Sequence, residues 1–171
     1  MKSMDNLILI GMPAAGKSTA GVLLAKKIGL GFIDCDLMIQ GEEGSLLASL
    51  IQEKGVEGFL EIENRVNSGL YASRCVIATG GSVCYCPSAM QHLRTLGKII
   101  YLELSAEEIE RRITGFERRG IVMRRGVTNI KELHAERVPL YEKYADIIVN
   151  CDGLTIDETV ETLAAAAGFH L

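Results

Sequence analysis

The segment "GMPAAGKST" at residues 11–19 decides the fold, because it directly follows the apolar run "NLILI" at residues 6–10. It fits the pattern G-x-x-x-x-G-K-[ST], a loop between a strand and a helix whose backbone N–H groups surround a phosphate. Within this pattern Lys17 reaches the β- and γ-phosphates and Ser18 binds Mg²⁺. The alternative is a chance glycine turn, but pattern and context agree here. The segment therefore predicts that the chain binds a nucleoside triphosphate, ATP.

Apolar segments of strand length alternate with helical patterns along the chain. We predict strands at residues 6–11, 31–34, 75–79, 98–104 and 146–150. The predicted helices lie near residues 17–28, 44–53, 56–72, 88–96, 105–114, 129–144 and 155–167. Because the strands are apolar on successive residues, we expect them to be covered on both faces, as in a parallel sheet. The expected fold is α/β: a doubly wound five-stranded parallel sheet with helices on both faces, in a single domain over residues 1–171.

Composition and charge exclude several classes of protein. Of the 171 residues, 48% are hydrophobic and 23% are charged, and the net charge is −4. No apolar run approaches the ~20 residues that span a bilayer, and the negative charge does not favour a general nucleic-acid surface. The five cysteines lack zinc spacing, so we expect reduced, mostly buried thiols. We therefore expect a cytoplasmic monomer that binds neither nucleic acid nor membrane.

Two acidic residues follow the second predicted strand, in the segment "FIDCDLMIQ" at residues 32–40. Asp34 and Asp36 are two residues apart, so in an extended chain their side chains share a face. One carboxylate could hold Mg²⁺ through water while the other accepts a proton from, or orients, an acceptor hydroxyl. Alternatively, one aspartate caps the next helix and the other is solvated. These residues alone leave both interpretations open.

Arginines are concentrated in the segment "RRITGFERRGIVMRR" at residues 111–125, which holds six of them against one glutamate. Phosphoryl transfer needs cations around the γ-phosphate. Arg119 lies between Gly115 and Gly126, in a stretch suited to a mobile lid at about 115–126 that closes and excludes water. A solvated basic face is the alternative interpretation.

These motifs together resemble those of shikimate kinase, in the same order and over nearly the whole chain. They are "GMPAAGKST", "FIDCD", "GGS" at residues 80–82, the arginine-rich segment and "ERVPLYEKYAD" at residues 136–146. The combination of F-x-D-x-D with R-x-P-L-Y is quite specific to that family. The resemblance implies a fold of the nucleoside monophosphate kinase group. It also implies transfer of the γ-phosphoryl group of ATP, with Mg²⁺, to a ring hydroxyl of shikimate, on the route to aromatic amino acids.

The resemblance further implies roles for the residues around the acceptor. Asp34 would bind the hydration shell of the magnesium ion, so Ser18 and Asp34 form the implied metal site. Asp36 would hydrogen-bond the acceptor hydroxyls and serve as the base. Gly80 and Gly81 would present backbone N–H groups to the substrate, and Arg137 would clamp its carboxylate. From the residues alone, Arg137 could instead pair with Glu132 or Glu136.

On the nucleotide side, the resemblance implies that Arg112 stacks near adenine and that Arg119 meets the transferring phosphoryl group. The expected ATP-binding residues are Ala14, Ala15, Gly16, Lys17, Ser18, Thr19, Arg112 and Arg119. The expected catalytic residues are Lys17, Asp36 and Arg119.

The chain departs from the family pattern in the acceptor pocket. In "GFLEIE" at residues 58–63, Leu60 stands where the family has an arginine that grips the substrate carboxylate and is oriented by the glutamate matching Glu63. Ser82 stands where the family has its third glycine, and the lid sequence over residues 119–122 is Arg-Gly-Ile-Val. Arg65 would project about 140° around the helix from position 60, so we do not expect it to compensate.

We therefore expect an ATP-dependent kinase for a hydroxyl on a small carboxylated metabolite, with shikimate as the default acceptor. A different small alcohol such as homoserine is the alternative, because a leucine cannot donate the hydrogen bonds of a guanidinium group. A nucleotide-binding regulator without catalysis is a third possibility, which the presence of Lys17, Asp36 and Arg119 disfavours.

Overall fold

The computed structural model describes residues 5–113 and 120–169. Within them, five strands form one parallel sheet in the order β2-β3-β1-β4-β5. The strands are β1 (Asn6–Ile10), β2 (Gly31–Asp34), β3 (Cys75–Ala78), β4 (Gly97–Glu103) and β5 (Ile147–Asn150). Each lies within one residue of its predicted bounds, so the predicted α/β fold is confirmed.

Seven α-helices and a short 3₁₀ helix connect and flank the strands in the described residues. They are α1 (Lys17–Ile28), α2 (Cys35–Glu43), α3 (Leu47–Ser68), α4 (Pro87–Leu96), α5 (Ala106–Arg112), α6 (Ile130–Tyr144) and α7 (Ile156–Ala166), with the 3₁₀ helix at Gly81–Tyr85. None of these helices combines the length and apolarity that a membrane crossing requires.

Two features between β2 and β3 correct the prediction. Helix α2 was missed because it starts directly after β2, with no loop between them. Asp34 caps this helix: its Oδ1 accepts hydrogen bonds from the backbone N–H groups of Asp36 and Leu37, at 3.0 and 3.2 Å. The predicted helices at 44–53 and 56–72 are two arms of α3. They meet at Gly55, whose φ of 71° and ψ of 176° interrupt the helical backbone.

The main core lies around the central strand β1, whose Ile8, Leu9 and Ile10 are completely buried. A smaller apolar cluster supports α2 and α3 and consists of Ile39, Leu50, Phe59, Val66 and Val122. Burying each of these side chains contributes on the order of 2 kcal/mol. The smaller cluster therefore fixes α2 and α3 relative to the segment that contains Val122.

The strand order places the functional loops at one edge of the sheet. Strand β1 lies between β3 and β4. The connection from β1 runs to β2 on one side of the sheet, whereas the connection from β3 runs past β1 to β4 on the other side. In open α/β sheets this reversal creates a crevice at the carboxyl ends of the strands, where ligands bind. The segments that follow β1, β2 and β3 all lie at this edge.

Candidate active site

The phosphate loop after β1 has an unusual backbone conformation. Gly16, which precedes α1, has a φ of 90°, and Ala14 has a φ of 62° that non-glycine residues seldom adopt. Successive turns of this kind point backbone N–H groups inward and favour an anion. Lys17 is almost completely buried, and its Nζ donates to the carbonyl oxygens of Gly11 and Met12, each at 2.8 Å. The loop is therefore folded around its own lysine.

The charge of Lys17 depends on its surroundings. Burial lowers the pKa of its ammonium group to about 8, while the nearby Asp36 carboxylate opposes this shift. A bound polyphosphate would favour the charged form of Lys17, and the positive end of the α1 dipole would stabilise that polyphosphate. The buried ammonium group of Lys17 is therefore only partly compensated by negative charge until an anion binds.

The two residues expected to hold magnesium lie in contact. The Ser18 hydroxyl donates to Asp34 Oδ2 at 2.6 Å, while Asp34 Oδ1 caps α2. The capping alternative is thus correct for Asp34, but it uses only one carboxylate oxygen. A hydroxyl and a carboxylate oxygen beside a phosphate loop are hard donors of the kind that Mg²⁺ takes together with nucleotide phosphates. These two residues therefore fit a magnesium ion.

A cavity of about 300 Å³ joins the phosphate loop to the predicted acceptor residues. Its lining includes Lys17, Asp36, Gly80, Gly81, Val122 and Arg137. The structure thus brings together the lysine, the acid, the two glycines and the arginine that the sequence singled out. Burial raises the pKa of Asp36 to about 6, and Lys17 opposes this shift. Above that pH Asp36 is a carboxylate that can accept a proton.

Arg137 on α6 is completely buried, and two of its three nitrogens are held by the protein. Its Nη2 donates to the carbonyl oxygen of Val122 at 2.7 Å, and its Nε donates to Tyr85 Oη at 3.3 Å. Among the described residues its Nη1 has no hydrogen-bond partner, and it lies 3.0 Å from the position that a Cβ on Gly81 would occupy. A buried guanidinium nitrogen without a partner needs an acceptor, so it fits an anionic group of a ligand.

The alternative partners of Arg137 prove wrong. Glu136 accepts a hydrogen bond from the Tyr85 hydroxyl, and Glu132 accepts hydrogen bonds from Thr128 at the start of α6. Tyr85 supports Arg137, and sequence reasoning missed it. Its ring lies 5.1 Å from Arg137 Cζ, and no local motif marks a tyrosine that supports an arginine 52 residues later.

Replacing Tyr85 by phenylalanine tests its support of Arg137. The variant keeps the ring under the guanidinium group but loses the Nε hydrogen bond, which is worth roughly 1 kcal/mol. We expect the KM for the acceptor to rise about three- to tenfold while kcat and the KM for ATP stay near wild type. Steady-state kinetics measure this, with Tyr71→Phe as control because Tyr71 is 87% exposed. Equal kinetics in the two variants would refute the role.

The two arginines expected on the nucleotide side have different outcomes. Arg112 ends α5, where its Nε donates to Glu108 at 2.6 Å and its Nη1 to the carbonyl oxygen of Ala15 at 3.4 Å. It therefore lies against the phosphate loop, and its stacking near adenine stays a prediction. Arg119 and residues 115–118 of the predicted lid lie outside the described residues. Gly120 and Val122, which follow them, line the cavity.

The departures from the family pattern change the wall behind the cavity. Leu60 packs against both apolar clusters. Arg65 pairs with Glu42 and Glu43 at the surface, so it does not replace an arginine at position 60. Glu63 is completely buried, and its Oε2 accepts a hydrogen bond from the Ser82 hydroxyl.

The parallel sheet, the phosphate loop and the acid facing Lys17 define a P-loop kinase, an ATP-dependent enzyme that phosphorylates a small molecule. The shikimate kinase family model matches residues 13–167. A shikimate kinase of Thiobacillus denitrificans is 36% identical over 152 residues, which cover 88% of this chain and 83% of that protein. One from Francisella tularensis subsp. holarctica is 35% identical over 164 residues, covering 93% and 92%. The chain belongs to the shikimate kinase family.

A solved structure supports the fold. The shikimate kinase from Acinetobacter baumannii in complex with shikimate matches with a TM-score of 0.85, covering 95% of this chain and 92% of that one at 24% identity. The comparisons confirm the resemblance drawn from the motifs, and they place the chain with kinases of aromatic amino-acid biosynthesis. They give no support to homoserine as the acceptor.

Proposed function

We propose that the protein transfers the γ-phosphoryl group of ATP, with Mg²⁺, to a ring hydroxyl of shikimate and forms shikimate 3-phosphate. One observation carries the proposal: the cavity that contains Lys17 and Asp36 is also lined by Arg137, whose buried Nη1 has no partner in the part of the chain that the structure describes. A phosphate-binding cation, a base and an anion-binding donor thus share one cavity. Shikimate carries the carboxylate and the hydroxyl that such a set requires.

The proposed mechanism assigns each residue a step. The backbone N–H groups of the loop and Lys17 bind the β- and γ-phosphates. Ser18 and Asp34 would hold magnesium, which when bound neutralises phosphate charge. Asp36 takes the proton of the acceptor hydroxyl. In the same step the hydroxyl oxygen bonds to the γ-phosphorus, while the bond between the γ-phosphorus and the oxygen that bridges to the β-phosphate breaks. Arg137 holds the acceptor carboxylate, so that the hydroxyl is aimed at the phosphate.

The proposal includes one domain with a lid at about residues 115–126 that contributes Arg119. Support comes from the described end of this segment, since Gly120, Ile121 and Val122 already line the cavity. Val122 also accepts the hydrogen bond from Arg137 Nη2. The segment thus contacts the residue that would bind the acceptor, which is the arrangement expected of a lid that closes over substrate.

A coupled assay of ADP release tests the function directly. The purified protein is incubated with ATP and Mg²⁺ and with shikimate, homoserine or no acceptor, and ³¹P NMR identifies the product. We expect ADP release that depends on shikimate, together with a phosphate monoester signal. Nucleotide binding without shikimate-dependent release would refute the proposal and favour the regulator.

Introducing the missing arginine tests how the carboxylate is held. In Leu60→Arg, a guanidinium group can pair with the unpartnered Glu63 Oε1 and donate to the substrate carboxylate. A charge-assisted hydrogen bond is worth roughly 1.5–3 kcal/mol, so we expect the KM for shikimate to fall about tenfold or more at similar kcat. Leu60→Met is the matched control because it conserves volume. A folded Leu60→Arg protein with unchanged KM would show that the acceptor lies away from position 60.

A further inference from the structure

Glu63 is a buried acid that the chemistry above does not use. It lies on α3 with no exposed surface, and its Oε2 accepts a hydrogen bond from Ser82. Its Oε1 has no hydrogen-bond partner within residues 5–113 and 120–169. Among residues 5–113 and 120–169, no lysine or arginine forms an ion pair with it. The Ser82 hydroxyl is thus the side-chain group that holds this carboxyl in place.

Glu63 lies directly behind the acceptor side of the cavity. A Cβ on Gly80 would be 2.5 Å from Glu63 Oε1 and 2.7 Å from Asp36 Oδ1, so two carboxyl groups flank the same backbone atom. The charged or titratable groups that surround Glu63 are Lys17 on α1, Cys35 and Asp36 on α2, Cys84 and Cys86 after β3, and Arg137 on α6. A displacement of Glu63 would therefore act on Gly80 and on Asp36.

Burial makes the protonation state of Glu63 sensitive to Ser82, the one described residue whose side chain donates a hydrogen bond to its carboxyl group. Burial raises the pKa of Glu63 to about 7, and Asp36 acts in the same direction. The hydrogen bond from Ser82 and the charges of Arg137 and Lys17 act in the opposite direction. Because removing one partner of a buried charged group is costly, loss of the Ser82 hydroxyl would drive Glu63 to its neutral form or move it.

We propose that Ser82 is a positioning residue of the acceptor site: its hydroxyl fixes the Glu63 carboxyl behind Gly80, and thereby places Gly80 and Asp36 towards the acceptor. Leucine at position 60 and serine at position 82 then act as a unit, because a leucine leaves Glu63 dependent on the serine. The effect on the acceptor rests on the function proposed above. The partnership of Glu63 with Ser82 does not.

The first experiment needs no acceptor. The infrared band of the protonated Glu63 carboxyl, identified by its loss in Glu63→Gln, is titrated in the wild type and in Ser82→Ala. Because the hydroxyl favours the carboxylate, we expect its removal to move the midpoint upward by about half a pH unit or more. Ser68→Ala, on α3 with Glu63, is the matched control, since the Ser68 hydroxyl is buried but has no hydrogen-bond partner among the described residues. An unchanged midpoint in Ser82→Ala overturns the proposal.

The second experiment measures positioning through kinetics. We expect Ser82→Ala to raise the KM for shikimate about three- to tenfold at unchanged KM for ATP, and Ser82→Thr to restore it because the hydroxyl is kept. In the Leu60→Arg background the effect should shrink to less than about twofold, because the arginine gives Glu63 a second partner. A shifted midpoint without any change in the KM for shikimate overturns the positioning role. A wild type inactive on shikimate would refute the proposed function, while the infrared titration still decides the partnership.

Discussion

Lys17→Ala is expected to abolish phosphoryl transfer, with a loss of about 10³-fold or more, the range by which a cation at the transferring group accelerates such reactions. Lys17 lies buried under the phosphate loop and lines the cavity. Arg137 is the other cation lining that cavity in the described part of the chain, and two of its nitrogens are held by Val122 and Tyr85. No other described cation that lines the cavity is therefore free to neutralise charge between the β- and γ-phosphates in its place.

The coupled assay of ADP release measures this loss, and Lys26→Ala is the matched control because Lys26 is an exposed lysine on the same helix. The pH dependence of ATP binding gives a second readout. Since the pKa of Lys17 is lowered to about 8 in the free protein, the lysine is charged below pH 8 and neutral above it. ATP affinity of the wild type should weaken as the pH rises through 8, whereas Lys17→Ala should lack this dependence. Transfer within tenfold of wild type would contradict the role of Lys17.

The parts of the fold that could be predicted from sequence depend on local patterns. Each strand is a short apolar run, and the phosphate loop carries its whole signal within residues 11–19. These signals lie within one element and its two ends, so an unaligned sequence is sufficient to locate them. These local patterns alone are therefore sufficient to predict the phosphate loop and the edge of the sheet at which it lies.

The missed features depend on contacts or on competing local patterns. Helix α2 was missed because Asp34 is both the last residue of a strand and the cap of a helix. In the sequence, a magnesium-binding role and a capping role for this aspartate looked mutually exclusive. In the structure one carboxylate oxygen caps the helix and the other faces Ser18.

The supports of the acceptor site could not be predicted, since they join distant parts of the chain. Tyr85 and Arg137 are 52 residues apart, and Glu63 and Ser82 are 19 residues apart. The resemblance located Arg137 and Glu63, but their partners became visible only in the folded chain. The departures at positions 60 and 82 looked like separate losses in the sequence. In the structure Ser82 donates a hydrogen bond to Glu63. Glu63 is the residue that loses a cationic partner when Leu60 stands in place of the arginine of the family.

Asp36→Asn is expected to lower turnover by ~10²-fold or more, the usual contribution of a positioned base, while ATP binding stays near wild type. The asparagine keeps the shape of the side chain beside Gly80 but cannot take the proton of the acceptor hydroxyl. Isothermal titration calorimetry with ATP measures binding, and the coupled assay of ADP release measures turnover. Asp157→Asn is the control, because Asp157 is an exposed acid in the first turn of α7.

The pH profile decides whether Asp36 acts as a base or only as a binding group. Because burial raises the pKa of Asp36 to about 6, its carboxylate is protonated below pH 6 and cannot accept a proton. Turnover of the wild type should therefore fall about tenfold for each pH unit below 6, and the residual activity of Asp36→Asn should be flat over that range. If the acidic decline persists in the variant, another group is the base. If the affinity for ATP collapses instead, Asp36 belongs to the nucleotide side, and no other acid among the described residues that line the cavity could aim an alcohol at the phosphate.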